Sequence, residues 1–289
     1  MTKYKFLIPV YNDWQSLNLL LQNLNKVLSN ISKTGNILVI DDGSTISPKL
    51  NIDSLSNIKK IELISLNKNL GSQKSIAIGL KYLQNKNISE IITIMDSDGE
   101  DDPSNIHEMI EEAENNQNYI ITSNRTTRKE KLLFKWLYKI HKLFTFFFST
   151  HWMSFGNFSS FHSKNLSFIL RNNKVWLAYS SAISINCKIK RVYAKRMERY
   201  FGKSKVNFLN LVLHSLRVIS VLQINVILFS SLYMIILIFL MSILNNIIFL
   251  FLFFSIIIFN IFLFLIKIYN NENQLNGWRS FINDVRTIN

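Results

Sequence analysis

Over the first 123 residues, short apolar runs alternate with longer segments whose apolar positions recur every three or four residues. The runs at 5–10, 37–41, 61–66, 91–96 and 119–123 predict strands. The segments at 14–28, 73–83 and 104–116 carry the helical period. This order predicts an α/β fold built on a Rossmann-like, mostly parallel, doubly wound sheet. Farther along, residues 218–266 carry no charge, and Asn245-Asn246 divides them into 218–244 and 247–266. Each piece matches the roughly 20 residues that cross about 30 Å of hydrocarbon, so both are predicted transmembrane helices. Between these regions, 131–148 reads as an amphipathic helix. Lys131, Lys135, Lys139 and Lys142 share an arc of about 80°, and Leu132, Leu133, Trp136, Leu137, Ile140, Leu143 and Phe144 cover the rest. Such a helix tends to lie in a membrane interface.

Charge sharpens this division. The chain has 289 residues and a net charge of +14. Residues 1–130 hold 14 basic and 16 acidic residues, whereas 131–217 hold 16 basic residues and one acid, Glu198. The predicted parts are a core at 1–130, a part with basic interfacial helices at 131–217, two spans at 218–266 and a cytoplasmic tail at 267–289. Arg217 and Lys267 flank the outer ends of the spans, and the connection between them is uncharged. The positive-inside bias then puts both termini and the core in the cytoplasm, at the cell (inner) membrane. The apolar run at 6–11 is too short for a signal peptide. A basic belt next to a membrane anchor favours membrane lipids or a lipid phosphate as partner over nucleic acid. The single Cys187 excludes an internal disulfide and a cysteine zinc cage, and the five His show no metal-ligand spacing.

In a doubly wound sheet, ligands bind beyond the carboxyl ends of the strands. The residues there are Val10 to Asp13, Asp41 to Ser44, Asn67 to Gly71, and Asp96 to Pro103. Three of these four loops are acidic, and neither a Gly-x-Gly-x-x-Gly fingerprint nor a P-loop occurs. Asp96 and Asp98 flank one residue at the end of a buried strand. They repel each other unless a cation intervenes, and their hard oxygens suit Mg²⁺ or Mn²⁺ completed by diphosphate oxygens.

These motifs carry a resemblance. Pro9-Val10-Tyr11-Asn12-Asp13, Val39-Ile40-Asp41-Asp42-Gly43-Ser44-Thr45, Asn69-Leu70-Gly71 with Ala77 and Gly79, and Met95-Asp96-Ser97-Asp98 stand in the order found in family 2 glycosyltransferases of the GT-A fold. Ser123-Asn124-Arg125, Gly156-Asn157-Phe158 and Arg199 to Lys205, ahead of the two spans, resemble the polyprenyl-phosphate branch. That branch includes dolichyl-phosphate mannose synthases and bacterial undecaprenyl-phosphate glucosyltransferases.

The resemblance implies a nucleotide-sugar site at Pro9, Tyr11, Asp13, Asp41, Asp42, Gly71 and Asp96. It implies a metal on Asp96 and Asp98, with Glu100 where many relatives have Gln. Asp96, Asp98 and Arg125 are the implied catalytic residues, and Arg199, Ser204 and Lys205 meet the lipid phosphate. Ile46 replaces an acid that often follows Gly-Ser-Thr, and Ser159 stands where an Arg often follows. The implied activity is an inverting, metal-dependent transfer of a hexosyl group from a UDP- or GDP-linked sugar to a polyprenyl phosphate such as undecaprenyl phosphate, for a glycan or cell-envelope modification. An ionised phosphate acceptor needs positioning and charge neutralisation rather than a general base. The alternatives are a membrane glycosyltransferase with a saccharide or glycolipid acceptor, and a non-catalytic nucleotide-binding membrane partner. Whether the chain forms a homo-oligomer is left open.

Overall fold

The computed structural model describes residues 3–288 except 53, 89, 126–131, 153 and 203–207, and describes only the backbone of 3, 125, 132–135, 137 and 138. In chain order the elements are β1 (Lys3–Val10), α1 (Trp14–Asn30), β2 (Gly35–Asp41), β3 (Ile58–Leu66), α2 (Ser72–Asn85), β4 (Glu90–Ile94), α3 (Ile106–Asn115) and β5 (Tyr119–Arg125). There follow α4 (Leu132–Ser149), β6 (Phe155–His162), α5 (Leu166–Ile169), α6 (Tyr179–Asn186), β7 (Lys188–Ala194), α7 (Phe208–Val221), α8 (Gln223–Leu244), α9 (Ile247–Tyr269) and β8 (Ile282–Ile288).

The chain divides into two compact units. One comprises Met1–Lys129, Phe155–Lys205 and Asn273–Asn289, and the other Glu130–Ser154 and Val206–Glu272. The boundaries predicted at 130/131 and 217/218 therefore run differently. The segment 155–205 belongs with the core because it supplies β6 and β7 to the same sheet.

The sheet has the order β7-β5-β6-β4-β1-β2-β3-β8 among the described residues. β3, β2, β1 and β4 are mutually parallel. β6 runs antiparallel between β4 and β5, and β7 lies parallel to β5. The central strands are buried on both faces, as parallel strands under helices must be: all five residues of β4 are buried. On α1, Leu17, Leu20, Leu21, Leu24 and Leu28 recur at three- and four-residue steps and are all fully buried, which is what seats the helix on the sheet.

The five predicted strands and three predicted helices of residues 5–123 all form. β4 ends at Ile94, two residues short of the predicted limit. The pattern did not predict β6, β7 or β8. β6 (FGNFSSFH) is rich in Ser and Gly, and β7 (KIKRVYA) buries only Val192 and Ala194. β8 (INDVRTI) is a mostly exposed edge strand.

From Asn273 onward, the predicted tail is a structural part of the sheet unit. A 3-10 segment, Glu272–Phe281, buries Leu275 and sets Trp278 edge-on to Tyr82 of α2 at 6.2 Å. Asn67 then donates from its backbone to the Phe281 carbonyl at 2.9 Å and from its side chain to the Ser280 carbonyl at 2.9 Å. β8 pairs antiparallel with β3 and closes an otherwise open edge.

In the other unit, α8 and α9 are long and apolar enough to cross a membrane. The predicted first span divides: residues to Val221 belong to α7, and α8 starts at Gln223. α9 runs past the charge-free stretch to Tyr269 and includes Lys267, because a helix continues wherever its backbone bonds do and not only where charge is absent. Asn245 takes a left-handed backbone (φ 44°) between the two helices, and the Asn246 side chain accepts the Ile248 N–H at 3.0 Å to cap α9. Asn260 of α9 donates to Ser230 Oγ of α8 at 2.9 Å, a polar link between two otherwise apolar surfaces. On α4, Lys139 and Lys142 lie over the rings of Trp136 and Trp152, and Trp136, Ile140 and Phe147 are exposed. Of the rest of the predicted stripe, Lys131 and the Lys135 side chain lie outside the description.

One buried ion pair ties three strands of the sheet. Lys5 of β1 and Glu62 of β3 meet at 2.8 Å across β2, each about 5% exposed, and Lys86 also reaches Glu62. Burial alone would raise the Glu62 carboxyl, but hydrogen bonds and charge from Lys5 and Lys86 hold it at about 2. Because that value lies below the ordinary 4.5, the stabilisation is present above about pH 4.5 and is lost as pH falls toward 2. Glu62→Gln leaves Lys5 buried without its counter-charge. It is expected to cost about 3 kcal/mol, a drop of roughly 6–12 °C in melting temperature at pH 7. Thermal unfolding of the detergent-solubilised chain checks this, and a variant within 2 °C or so of wild type would show the pair to be dispensable.

Candidate active site

The strand order reverses beside β1. β2 and β3 extend to one side of it and β4 to the other, so a crevice opens beyond the carboxyl ends of β1 and β4. The loop after β1 is clipped to the loop after β2. Asn12, with φ 51°, accepts the Thr45 and Ile46 N–H groups on its side-chain oxygen at 2.9 and 3.1 Å, and its own N–H goes to Ser44 Oγ at 2.9 Å. Asp41 accepts the Ser44 N–H at 2.9 Å. Asp42 uses both carboxylate oxygens, accepting the Leu70 and Gly71 N–H groups at 2.8 Å each. It is 3% exposed, and burial pushes its carboxyl above the ordinary range while those N–H groups and Ser75 pull it back. Asp42 is thus the clamp that holds the loop between β3 and α2 against β2.

The loop after β4 carries the densest negative charge. The Asp98 carboxyl is raised to about 6, first by burial and then by the neighbouring Asp96. Asp98 accepts the Glu100 N–H at 3.0 Å and pairs with Arg199 Nη1 at 2.9 Å. The second amino group of Arg199 lies 3.3 Å from Asp13 Oδ2, so one guanidinium joins the loop after β1 to the loop after β4. Arg199 gets there because the segment after β7 folds back along the acidic loop. Met197 N–H donates to the Glu100 carbonyl at 3.0 Å, and Tyr200 N–H to the Asp98 carbonyl at 2.9 Å. Gly99 permits this approach: its φ is +85°, and a Cβ there would lie 2.5 Å from the Tyr200 ring. On the other side of the crevice, Asn157 of β6 donates to Asp96 Oδ1 at 3.4 Å.

Several sequence expectations meet this geometry. Pro9 is buried within β1, Tyr11 is 36% exposed beside the crevice, and Gly71 lends its N–H to Asp42. Arg199 joins Asp13 to Asp98, and Asp96 lies close enough to Asp98 for its charge to be felt there. Glu100 stands beside Asp98 as well, its N–H bonded to that carboxylate. Its carboxylate pairs with Arg196, whose Nε lies at 3.0 Å, and among the described residues no three His, Cys, Asp or Glu side chains gather as a metal-binding cluster. Of the expected metal set Asp96, Asp98 and Glu100, Glu100 is engaged by Arg196 from the returning segment. Arg199, anticipated at a lipid phosphate, lies between Asp13 and Asp98. Arg125 ends β5, and its side chain lies outside the description, as do Ser204 and Lys205. Ser159 is fully buried with its hydroxyl 2.7 Å from that of Tyr179. Gln73, Arg196 and Tyr179 were not singled out from sequence. Gln73 does stand two residues after Gly71, at the start of α2, which is where a loop signal could have pointed.

The chemistry of the donor set fits a divalent cation. Asp98 is held protonated to an unusually high pH by burial beside Asp96, a charge conflict that Mg²⁺ or Mn²⁺ relieves with hard oxygen ligands. Asp96 and Asp98 would hold it, with the remaining ligands coming from a bound phosphate group.

The model of Glycosyl transferase family 2 matches residues 6–175, more than half of the chain and all of the strands that border the crevice on its β1–β4 side. The chain belongs to this family. Within family 2, it is 29% identical over 143 residues to the undecaprenyl-phosphate 4-deoxy-4-formamido-L-arabinose transferase of Salmonella choleraesuis, covering 49% of this chain and 42% of that protein. It is 27% identical over 124 residues to an uncharacterized glycosyltransferase of Synechocystis sp., covering 43% and 38%. The chain thus spans about two fifths of the length of the curated relatives it matches. Among solved structures, mannosyl-3-phosphoglycerate synthase from Rubrobacter xylanophilus superposes with a TM-score of 0.54 at 12% identity over 76% of this chain and 72% of that one. Glucosyl-3-phosphoglycerate synthase from Mycobacterium tuberculosis, solved with Mn²⁺, uridine diphosphate and glucosyl-3-phosphoglycerate, superposes with a TM-score of 0.50 at 12% identity over 78% and 80%. At such identities these two structures establish the GT-A-like fold.

The Asp98 value generates a prediction for this family 2 site. Raised from 3.8 to about 6, the carboxyl keeps its proton in the folded chain between those values, so a cation must compete with that proton below about pH 6. Mn²⁺ affinity, followed by EPR, is expected to be flat above pH 7 and to fall by up to about tenfold per unit below pH 6. Asp98→Asn is expected to lose most of the affinity and this pH dependence with it. A profile unchanged down to pH 5 would remove Asp98 from the cation site.

Proposed function

We propose that this family 2 glycosyltransferase is anchored in the membrane by the α8–α9 hairpin. It transfers a sugar from a nucleotide-diphosphate sugar to a polyprenyl phosphate at the cytoplasmic face. The observation that carries the reading is the combination, in one chain, of the acidic family 2 crevice with a hairpin of two membrane-length helices. Similarity to undecaprenyl-phosphate sugar transferases supports the acceptor class.

The chain's own residues prepare the reaction in three ways. Asp41, Asp42 and Asn12 fix the loops around the nucleotide end of the crevice through backbone N–H groups. Asp96 and Asp98 would hold a divalent cation, which when bound would supply positive charge for the departing nucleoside diphosphate. Arg199 lies among these acids and brings its positive charge to the mouth of the crevice where the donor diphosphate would bind. A phosphate oxygen of the acceptor then attacks the anomeric carbon as the bond to the donor diphosphate breaks, which inverts the configuration. Since that oxygen is already ionised at pH 7, no general base is assigned.

The sheet supports the topology. β7 precedes the hairpin and β8 follows it, yet both pair within one sheet, so the intervening chain crosses the membrane an even number of times. Arg217 and Lys267 near the outer ends favour the cytoplasm for that side.

Two experiments test the reading. In detergent, with both substrates varied, Arg199→Ala is expected to raise the KM for the nucleotide sugar by roughly tenfold or more. It should change the KM for undecaprenyl phosphate less. The opposite split would move Arg199 to the lipid phosphate, and no turnover in wild type with any UDP- or GDP-linked sugar would remove the transferase assignment. In a Cys187→Ser background, Asn245→Cys should react with an impermeant maleimide in intact cells, whereas Asn283→Cys should react only after lysis. Labelling of both from outside would overturn the hairpin model.

A further inference from the structure

A row of amides runs from the backbone of α6 to Asp96. The Tyr179 N–H, at the first residue of α6, donates to Gln73 Oε1 at 2.7 Å. Gln73 Nε2 donates to Asn157 Oδ1 at 3.0 Å, and Asn157 Nδ2 donates to Asp96 Oδ1 at 3.4 Å. The direction of the row is determined by its origin. A backbone N–H can only donate, so Gln73 must present its oxygen to Tyr179 and its amino group to Asn157. Asn157 must then present its own amino group to Asp96. A second path holds the same residues in place: Ser159 Oγ donates to the Asn157 carbonyl at 3.0 Å and lies 2.7 Å from the Tyr179 hydroxyl. Tyr179 and Ser159 are both fully buried, so the anchor is rigid.

We propose that Gln73 and Asn157 are positioning residues that keep an N–H directed at the Asp96 carboxylate, orienting it for the cation and diphosphate of the donor. The inference rests on the function proposed above, in which Asp96 meets that cation. It assigns a role to Gln73, which bonds to the Tyr179 N–H and to Asn157 rather than to Asp96 itself. Nature of the side chain matters here more than size. Gln73→Glu has the same shape and still accepts from Tyr179, yet its second oxygen cannot donate. Asn157 must then turn its amino group toward the introduced carboxylate and its oxygen toward Asp96, so an attraction becomes a repulsion. Gln73→Met merely removes the link and leaves Asn157 free to keep its orientation.

The test measures Mn²⁺ binding by EPR on the detergent-solubilised full chain, alone and with UDP or GDP, alongside thermal melting of each variant. Gln73→Glu is expected to weaken binding roughly tenfold to a hundredfold, the range carried by a hydrogen bond to a charged group. Gln73→Met should weaken it less. A packing role predicts the reverse order, since Gln73→Glu retains the bond to Tyr179 and Gln73→Met does not. In an Asn157→Leu background, where the row is cut, Gln73→Glu should add no further loss. Wild-type affinity in Gln73→Glu, a milder effect than in Gln73→Met, or additive losses in the double variant would each overturn the proposal while leaving the transferase reading intact. Absence of Mn²⁺ binding in wild type would overturn both. If Asn157→Leu does not fold, the order of the two Gln73 variants decides.

Discussion

Negative charge crowded at the carboxyl edge of the central sheet is the constraint on which the site depends. Aspartates stand at or just beyond the ends of β1, β2 and β4, and burial there raises the carboxyls of Asp42 and Asp98. Asp41 and Asp42 are satisfied by backbone N–H groups from the loops after β2 and β3, which makes them parts of the scaffold. Asp96 and Asp98 are supported by Asn157, the Glu100 N–H and Arg199, and burial, reinforced by the charge of Asp96, raises Asp98 to about 6. A cation between these two carboxylates has the most to neutralise.

The returning segment after β7 explains why a basic stretch remote in sequence belongs to this crevice. Its backbone pairs with residues 98–100, Gly99 admits the Tyr200 ring, and the Tyr200 hydroxyl accepts from Asn23 of α1 at 2.9 Å. These contacts carry Arg196 to Glu100 and Arg199 to Asp98 and Asp13. One arginine thereby engages the Glu100 carboxylate, and the other lends positive charge to Asp98 and Asp13.

The C-terminal residues serve the same economy of edges. A parallel sheet growing outward from β1 leaves β3 open, and β8 closes it after the chain has passed through two apolar helices. Within the apolar hairpin, Asn260 of α9 donates to Ser230 of α8, a polar link between helices long and apolar enough to cross a membrane.

The sequence by itself determined the alternation of β1 to β5 with α1 to α3, the two apolar helices, and the acidic loops of the crevice. These are local facts, legible because apolar period, strand length and charge act over a few residues. Family 2 membership was legible too, from Asp41-Asp42-Gly43-Ser44 and Asp96-Ser97-Asp98 in their order. Tertiary structure alone decided the rest. β6, β7 and β8 are weak strands by composition and form because neighbouring edges need partners. The pairing of Glu100 with Arg196 joins residues about a hundred positions apart, which no local pattern records. Gln73 and Asn157 become supports for Asp96 only when α2, β6 and α6 converge. A hydrogen bond acts over about 3 Å, and no spacing along the chain records which distant groups folding will bring within that reach.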